Sequence, residues 1–167
     1  VVCPAVAPPV PGLEPAAAAL LLALTDPETP VWWAGANAAR WLRFHCGAPA
    51  ASRPDEAVFA LIADPATLAH DGGRLADHAL GTDVSPERST TLIVQVPALD
   101  GGAPLQASGP GLAEPVSFAP AGLPEAFWTQ WADNRARFPS GVDLVLVCGD
   151  AIVGLPRTTR VTPAHGG

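Results

Sequence analysis

The chain has 167 residues and a mass of 17.0 kDa, which suits one domain with a single sizeable core. Its nine basic residues are all Arg, and against 16 Asp and Glu they leave a formal charge of -7 and a pI near 4.8, which excludes a basic footprint for nucleic acid or an anionic membrane. With 49% hydrophobic and 15% charged residues the chain can collapse, so global disorder is excluded, although 20 Pro and 16 Gly call for many loops.

The opening VVCPAVAPPVPGLE, residues 1–14, is Pro-rich and without periodicity, and reads as an extended start. Pro15 suits the first turn of a helix, so Pro15 to Leu24 is expected to be a short buried helix. Past the turn residues 25–30, Val31-Trp32-Trp33 reads as a short strand. Asn37 can cap a helix running to about Cys46, with Gly47 as its C-terminal stop. Val58 to Ala63 is an apolar strand, and Asp64-Pro65 looks like the cap and first turn of a short helix. Residues 70–88 have no clear period and read as loop with one helical turn at most.

Thr90 to Val96 is a β-branched strand, and Asp100-Gly101-Gly102 offers a turn into a second strand at Leu105 to Ser108. Pro124 to Phe138 reads as an amphipathic helix with Phe127, Trp128, Trp131 and Phe138 on one face and an Asp133–Arg137 pair on the other. Val142 to Cys148 is the most continuously apolar run, as a central strand covered on both faces would be, and Gly149-Asp150 turns it into Ala151 to Leu155. Strands mixed with helices argue for an α/β sandwich with a C-terminal hairpin, and no repeat or interdomain linker is visible.

The absences exclude whole reaction classes. Without Lys there is no Walker-type phosphate lysine, no Schiff-base nucleophile and no covalently held pyridoxal phosphate. Cys3, Cys46 and Cys148 are odd in number and far apart, fitting neither a disulfide framework nor a metal ribbon, so they read as reduced cytoplasmic thiols. The longest apolar run, Ala16 to Leu24, is far short of the roughly 18 to 20 residues of a membrane span, and no basic residue precedes it as in a signal peptide.

The best ligand candidate is Leu155-Pro156-Arg157-Thr158-Thr159-Arg160, whose guanidinium and hydroxyl donors would suit a phosphate or phosphonate; alternatively, Thr158 and Thr159 continue a strand while both Arg pair with acids. Arg43 and His45 could join that cleft if the middle helix and the C-terminal segment converge. On a helical wheel, however, His45 shares the apolar face of Ala38, Trp41 and Leu42 and reads as a core histidine, and Cys46 as a small buried hydrophobe. His70, Asp71 and His78, with Asp77 behind them, have no established metal-ligand spacing and read as a surface loop. Ser108-Gly109-Pro110-Gly111 reads as a turn, since it lacks the third glycine and the helix start of a pyrophosphate loop. Trp128 and Trp131 are core or a partner anchor.

Five strings carry a wider likeness: LALTDPETPVWW from Leu22 to Trp33, WLRFHCGAP from Trp41 to Pro49, AVFAL from Ala57 to Leu61, TTLIVQVPALDGGAPLQASGPGLAE from Thr90 to Glu114, and FPSGVDLVLVCGDAIVGLPRTTRV from Phe138 to Val161. In order and spacing the chain resembles the PhnH family, the H subunit of the carbon-phosphorus lyase core complex. Two departures stand out: the family's N-terminal stretch is missing here, and Cys46 stands where the family often has Thr.

The resemblance implies a three-layer α/β/α fold with a mixed sheet, similar to the large domain of pyridoxal-phosphate-dependent transferases but without that cofactor. It implies a single domain over residues 1–167 and a homodimer in a cytoplasmic assembly with the G, I and J subunits. There the I subunit, helped by G, H and the L protein, replaces the adenine of MgATP by an alkylphosphonate, giving ribose 1-alkylphosphonate 5-triphosphate. The J subunit, an iron-sulfur radical enzyme, later breaks the carbon-phosphorus bond. On this reading the chain is an accessory subunit with no catalytic, metal or cofactor residues of its own. The alternative is a subunit that holds a phosphonate or ribosyl phosphate with Arg157, Thr158, Thr159, Arg43 and His45.

Overall fold

The computed structural model describes residues 10–33 and 36–164. The extended start before residue 10, with Cys3, lies outside the described residues, as does the side chain of Asn37.

Helix α1 spans Pro15–Leu24, where an Ala- and Leu-rich run of good helix formers begins with proline, which lacks the N–H that a first turn leaves unpaired. It stops at Thr25, whose N–H and hydroxyl both donate to the Leu21 carbonyl, at 3.0 and 2.6 Å. Strand β1 (Val31–Trp33) leads to α2 (Ala36–Cys46), so Asn37 falls inside the first turn of the helix rather than before it. Gly47 ends α2 at φ +73, and a Cβ there would lie 2.9 Å from Pro27, so both backbone and space call for glycine.

Strand β2 (Phe59–Ile62) is followed by a 3-10 turn, Pro65–Ala69, capped by Asp64, whose carboxylate accepts the Ala66 N–H. Residues 70–88 hold two further short turns, Leu75–Asp77 and Pro86–Arg88. Then come β3 (Thr91–Gln95), β4 (Leu105–Ser108), β5 (Val116–Phe118), α3 (Phe127–Ala136), β6 (Asp143–Cys148), β7 (Ala151–Leu155) and β8 (Arg160–Pro163).

The main sheet has five strands in the order β1-β2-β3-β6-β7. The first four run parallel, and β7 turns back antiparallel on β6. The outer side of β1 is covered by the chain itself at Val31: the Val31 N–H donates to Pro49 O and the Ala51 N–H to Val31 O, each at 2.9 Å. Alternating side chains of β2, β3 and β6 feed two cores. Ala60, Leu92, Val94, Leu144 and Leu146 meet Phe127 and Trp131 of α3, while Leu61, Ile93 and Val147 meet α1 and Leu42 of α2.

The expected mixed α/β sheet, covered on both faces, is thus present. The layer opposite α1 and α2 is only partly helical, however, since Ala107 of β4 joins α3 in it. Strand β4 does not extend the main sheet but centres a second, antiparallel one in the order β5-β4-β8. Helix α3 ends at Ala136, which leaves Phe138 62% exposed and off the buried face. Asp133 and Arg137 form no ion pair, because Arg137 is already the C-cap.

Candidate functional site

The segment Leu155–Arg160 leaves β7, makes one turn and enters β8. Its Arg157 does not face an open cleft. The guanidinium grips Asp143 at the start of β6 by two bonds, Nε to Oδ1 at 3.2 Å and the far nitrogen to Oδ2 at 2.5 Å. The remaining N–H groups donate to the Pro86 carbonyl at 3.0 Å, the Pro139 carbonyl at 3.4 Å and the Ser89 hydroxyl at 2.6 Å. A guanidinium has five N–H donors, and all five are spent inside the chain. The Arg157 backbone N–H adds a bond to Asp143 Oδ1 at 2.7 Å. The pairing alternative for this arginine is what forms, with the side chain only 14% exposed.

Thr159 is buried; its N–H donates to Pro156 O at 2.8 Å and its carbonyl accepts the indole N–H of Trp131 at 3.0 Å. Thr158 is half-buried and borders a shallow hollow of about 430 Å³ with Pro110, Arg135, Ala136 and Phe138. Arg135 is therefore the guanidinium that accompanies Thr158. Sequence reasoning missed it because it looks outward from the last turn of α3, and only the turn after Pro156 brings Thr158 beside it.

Arg43 and His45 are elsewhere. Helix α2 lies beside β1, whereas Arg157 follows β7, at opposite edges of a five-stranded sheet. The four strand spacings between them amount to about 19 Å. Arg43 borders another hollow, of about 440 Å³, with Ala39, Arg40, Phe44 and Ala50. His45 is exposed, not a core histidine, and its ring leans on Trp41 and Phe44, each with centroids 5.0 Å away. Cys46 is half-buried, with Sγ donating to Leu42 O and touching Thr25 Oγ1, both at 3.1 Å. That contact ties α2 to the end of α1, and the small polar atom it requires could equally be a hydroxyl.

His70, Asp71 and His78 do not converge, and among the described residues no three His, Cys, Asp or Glu side chains gather as a metal site. Asp77 instead accepts the N–H groups of Gly72 and Arg74 at 2.7 and 3.0 Å. His78 is not a surface residue. It is 3% exposed, with Nδ1 2.9 Å from the Arg74 carbonyl and its ring edge-on to Trp32 at 5.7 Å. A carbonyl can only accept, so Nδ1 carries the proton, and Nε2 is left buried with no partner among the described residues. Burial lowers its pKa from the ordinary 6.5, against the Arg74 carbonyl and the Asp77 charge, which raise it. The 108–111 segment is a turn, closed by the Leu112 N–H on Gly109 O at 3.2 Å.

The chain matches the family described as bacterial phosphonate metabolism protein (PhnH) over residues 2–162. It is 45% identical over 161 residues to the alpha-D-ribose 1-methylphosphonate 5-triphosphate synthase subunit PhnH of Rhizobium meliloti (strain 1021), covering 94% of this chain and 78% of that protein. It is 37% identical over 93 residues to HtxG of Stutzerimonas stutzeri, which is named as a C-P lyase subunit; that stretch covers 54% of this chain and 48% of HtxG. Among the described residues no helix is long and apolar enough to cross a membrane. With the family's pattern running through both sheets and all three helices, the chain belongs to the PhnH family of bacterial phosphonate metabolism proteins.

Proposed function

We propose that this chain is a non-catalytic, accessory subunit of the bacterial carbon-phosphorus lyase core complex. With the G, I and L proteins it serves to form ribose 1-alkylphosphonate 5-triphosphate from MgATP and an alkylphosphonate. The observation that carries this reading is the 45% identity, over 94% of the chain, to a subunit of the corresponding methylphosphonate synthase. The spent donors of Arg157 support a structural rather than chemical duty for the LPRTT segment. In this reading the chain is one domain, works in the cytoplasm, forms a homodimer, and meets the G, I and J subunits. Its fold is a relative of the large domain of pyridoxal-phosphate-dependent transferases. The residues present do not fit that cofactor, since the chain has no lysine to hold it.

A second reading, phosphonate or ribosyl phosphate binding, is favoured by one observation: the hollow where Thr158 and Arg135 stand together beside Pro110. Arg157 and Thr159 would then brace that hollow from behind, and Arg43 and His45 would take no part.

Co-expression of the tagged full-length protein with the G, I and J subunits of the same genome tests the first reading. All four chains are expected to co-purify in fixed ratio. If G, I and J assemble while this chain elutes alone, the subunit reading fails. An Arg135→Ala change that leaves assembly intact but abolishes synthase turnover would favour the second reading.

A further inference from the structure

Helix α2 carries positive charge without any acid in a chain whose net charge is -7. No Asp or Glu occurs from residue 29 to residue 54, while Arg40, Arg43 and Arg53 fall there. Arg53 is paired with Asp55, but among the described residues neither Arg40 nor Arg43 forms an ion pair. The helix turns Ala38 and Leu42 into the core and leaves Arg40, Arg43 and Phe44 outside. Spaced i, i+3 and i+4, these three form one stripe along its outer face.

Phe44 supplies the second observation. It is 82% exposed, and the His45 ring that stands edge-on to it also leans on Trp41. The fold gains little from a phenyl ring in water, whereas aromatic and arginine side chains held together have the composition of an interface anchor. Beside the ring, the hollow of about 440 Å³ adds the small apolar side chains of Ala39 and Ala50 to the two guanidinium groups. Compensation of the helix dipole accounts for Arg43, in the last turn, but not for Arg40 in mid-helix or for Phe44.

We propose that this face of α2 docks an acidic segment of a different protein subunit, whose carboxylates pair with Arg40 and Arg43 and whose apolar side chain enters the hollow against Phe44. This rests on the subunit reading above and assigns its surface. Charge selects the partner: an acidic surface is repelled by most of this chain and is steered to the stretch where acids are absent. A second copy does not suit the face, because a two-fold contact through the stripe would set arginines against arginines. A free phosphate would engage the guanidinium groups but leave Phe44 and the alanines in water.

The test uses the full-length chain and the G, I and J subunits of the same genome. Arg40→Glu and Phe44→Ala are each expected to weaken its binding to them about tenfold or more, with an unchanged circular dichroism spectrum. Arg88→Glu, the same charge change at an exposed site elsewhere, should leave binding as it is. Because the chain has no lysine, Arg43→Lys supplies a unique side-chain amine, and carbodiimide treatment of the complex is expected to join position 43 to an Asp or Glu of another subunit. A chain that co-purifies in fixed ratio, with Arg40→Glu and Phe44→Ala held as firmly as the wild type, overturns the proposal while sparing the subunit reading. So does a link from position 43 only to a second copy, or a pair of variants that keep full assembly and lose only calorimetric binding of inorganic triphosphate. A wild-type chain that elutes alone while G, I and J assemble overturns both.

Discussion

At the scale of single residues, His78 is the group whose chemistry the fold changes most. A buried imidazole held neutral by a carbonyl at Nδ1 must be desolvated again to take a second proton, and its pKa is lowered accordingly. The folded state then binds that proton less readily than the unfolded chain. The stability His78 protects is complete above its ordinary value of 6.5 and is lost as pH falls below it toward the depressed folded value. Denaturant unfolding of the wild type from pH 8 down to pH 5.5 is expected to show this slope, and His78→Gln to flatten it, whatever its own stability; parallel slopes in both proteins would disprove the assignment. Nothing in the sequence marked His78 as different from His70, because burial here comes from packing against Trp32, 46 residues away in the chain. His45 failed in the opposite direction. It shares a wheel face with Leu42, but the outward end of that face, toward Phe44, has nothing over it.

At the scale of elements, Arg157 is a clamp between the start of β6, the turn after β7 and the 86–89 loop. Removing it would strand the Asp143 carboxylate and the Ser89 hydroxyl in a mostly buried place. Since Asp143 is 33% exposed, Arg157→Ala is expected to cost about 2–4 kcal/mol rather than the upper range of fully buried pairs. For a chain of this size that lowers the melting temperature by about 5–15 °C. Arg157→Lys should recover little of it, because an ammonium cannot reproduce the fork; a full recovery in a thermal melt would show that only charge matters. The helices α1 and α3 and the strands β1, β6 and β7 were legible from apolar runs bounded by proline and glycine. The three-residue β5, near prolines, with Val116 and Ser117 exposed and only Phe118 half-buried, offers no period to read. The candidate site was legible only as a composition of donors: the sequence names Arg157 and Thr158 as neighbours, and only the turn sends one inward to Asp143 and the other outward to Arg135.

At the scale of the whole molecule, the two hydrophobic cores are opposite faces of the same strands. Leu92 serves one and Ile93 the other. Neither core can melt while its strands stay paired, so unfolding is expected to be a single transition, with calorimetric and van't Hoff enthalpies equal. Tryptophan fluorescence should fall together with far-ultraviolet circular dichroism, since Trp32, Trp128 and Trp131 report one core and Trp33 and Trp41 the other; two separated transitions would refute this. Strand order was the part of the fold furthest from the sequence. The turn at Asp100 suggests that β4 returns beside β3, whereas β6, some fifty residues on, takes that place.

The closure of β1 by residues 49–51 has a consequence for assembly. A sheet with two bare rims can add copies without end and grow into a fibre. Among the described residues the β7 rim is bare along its length, whereas Pro49 and Ala51 cover the β1 rim at Val31. Growth of the main sheet is therefore expected at β7 rather than at β1, which favours a closed pair over a filament.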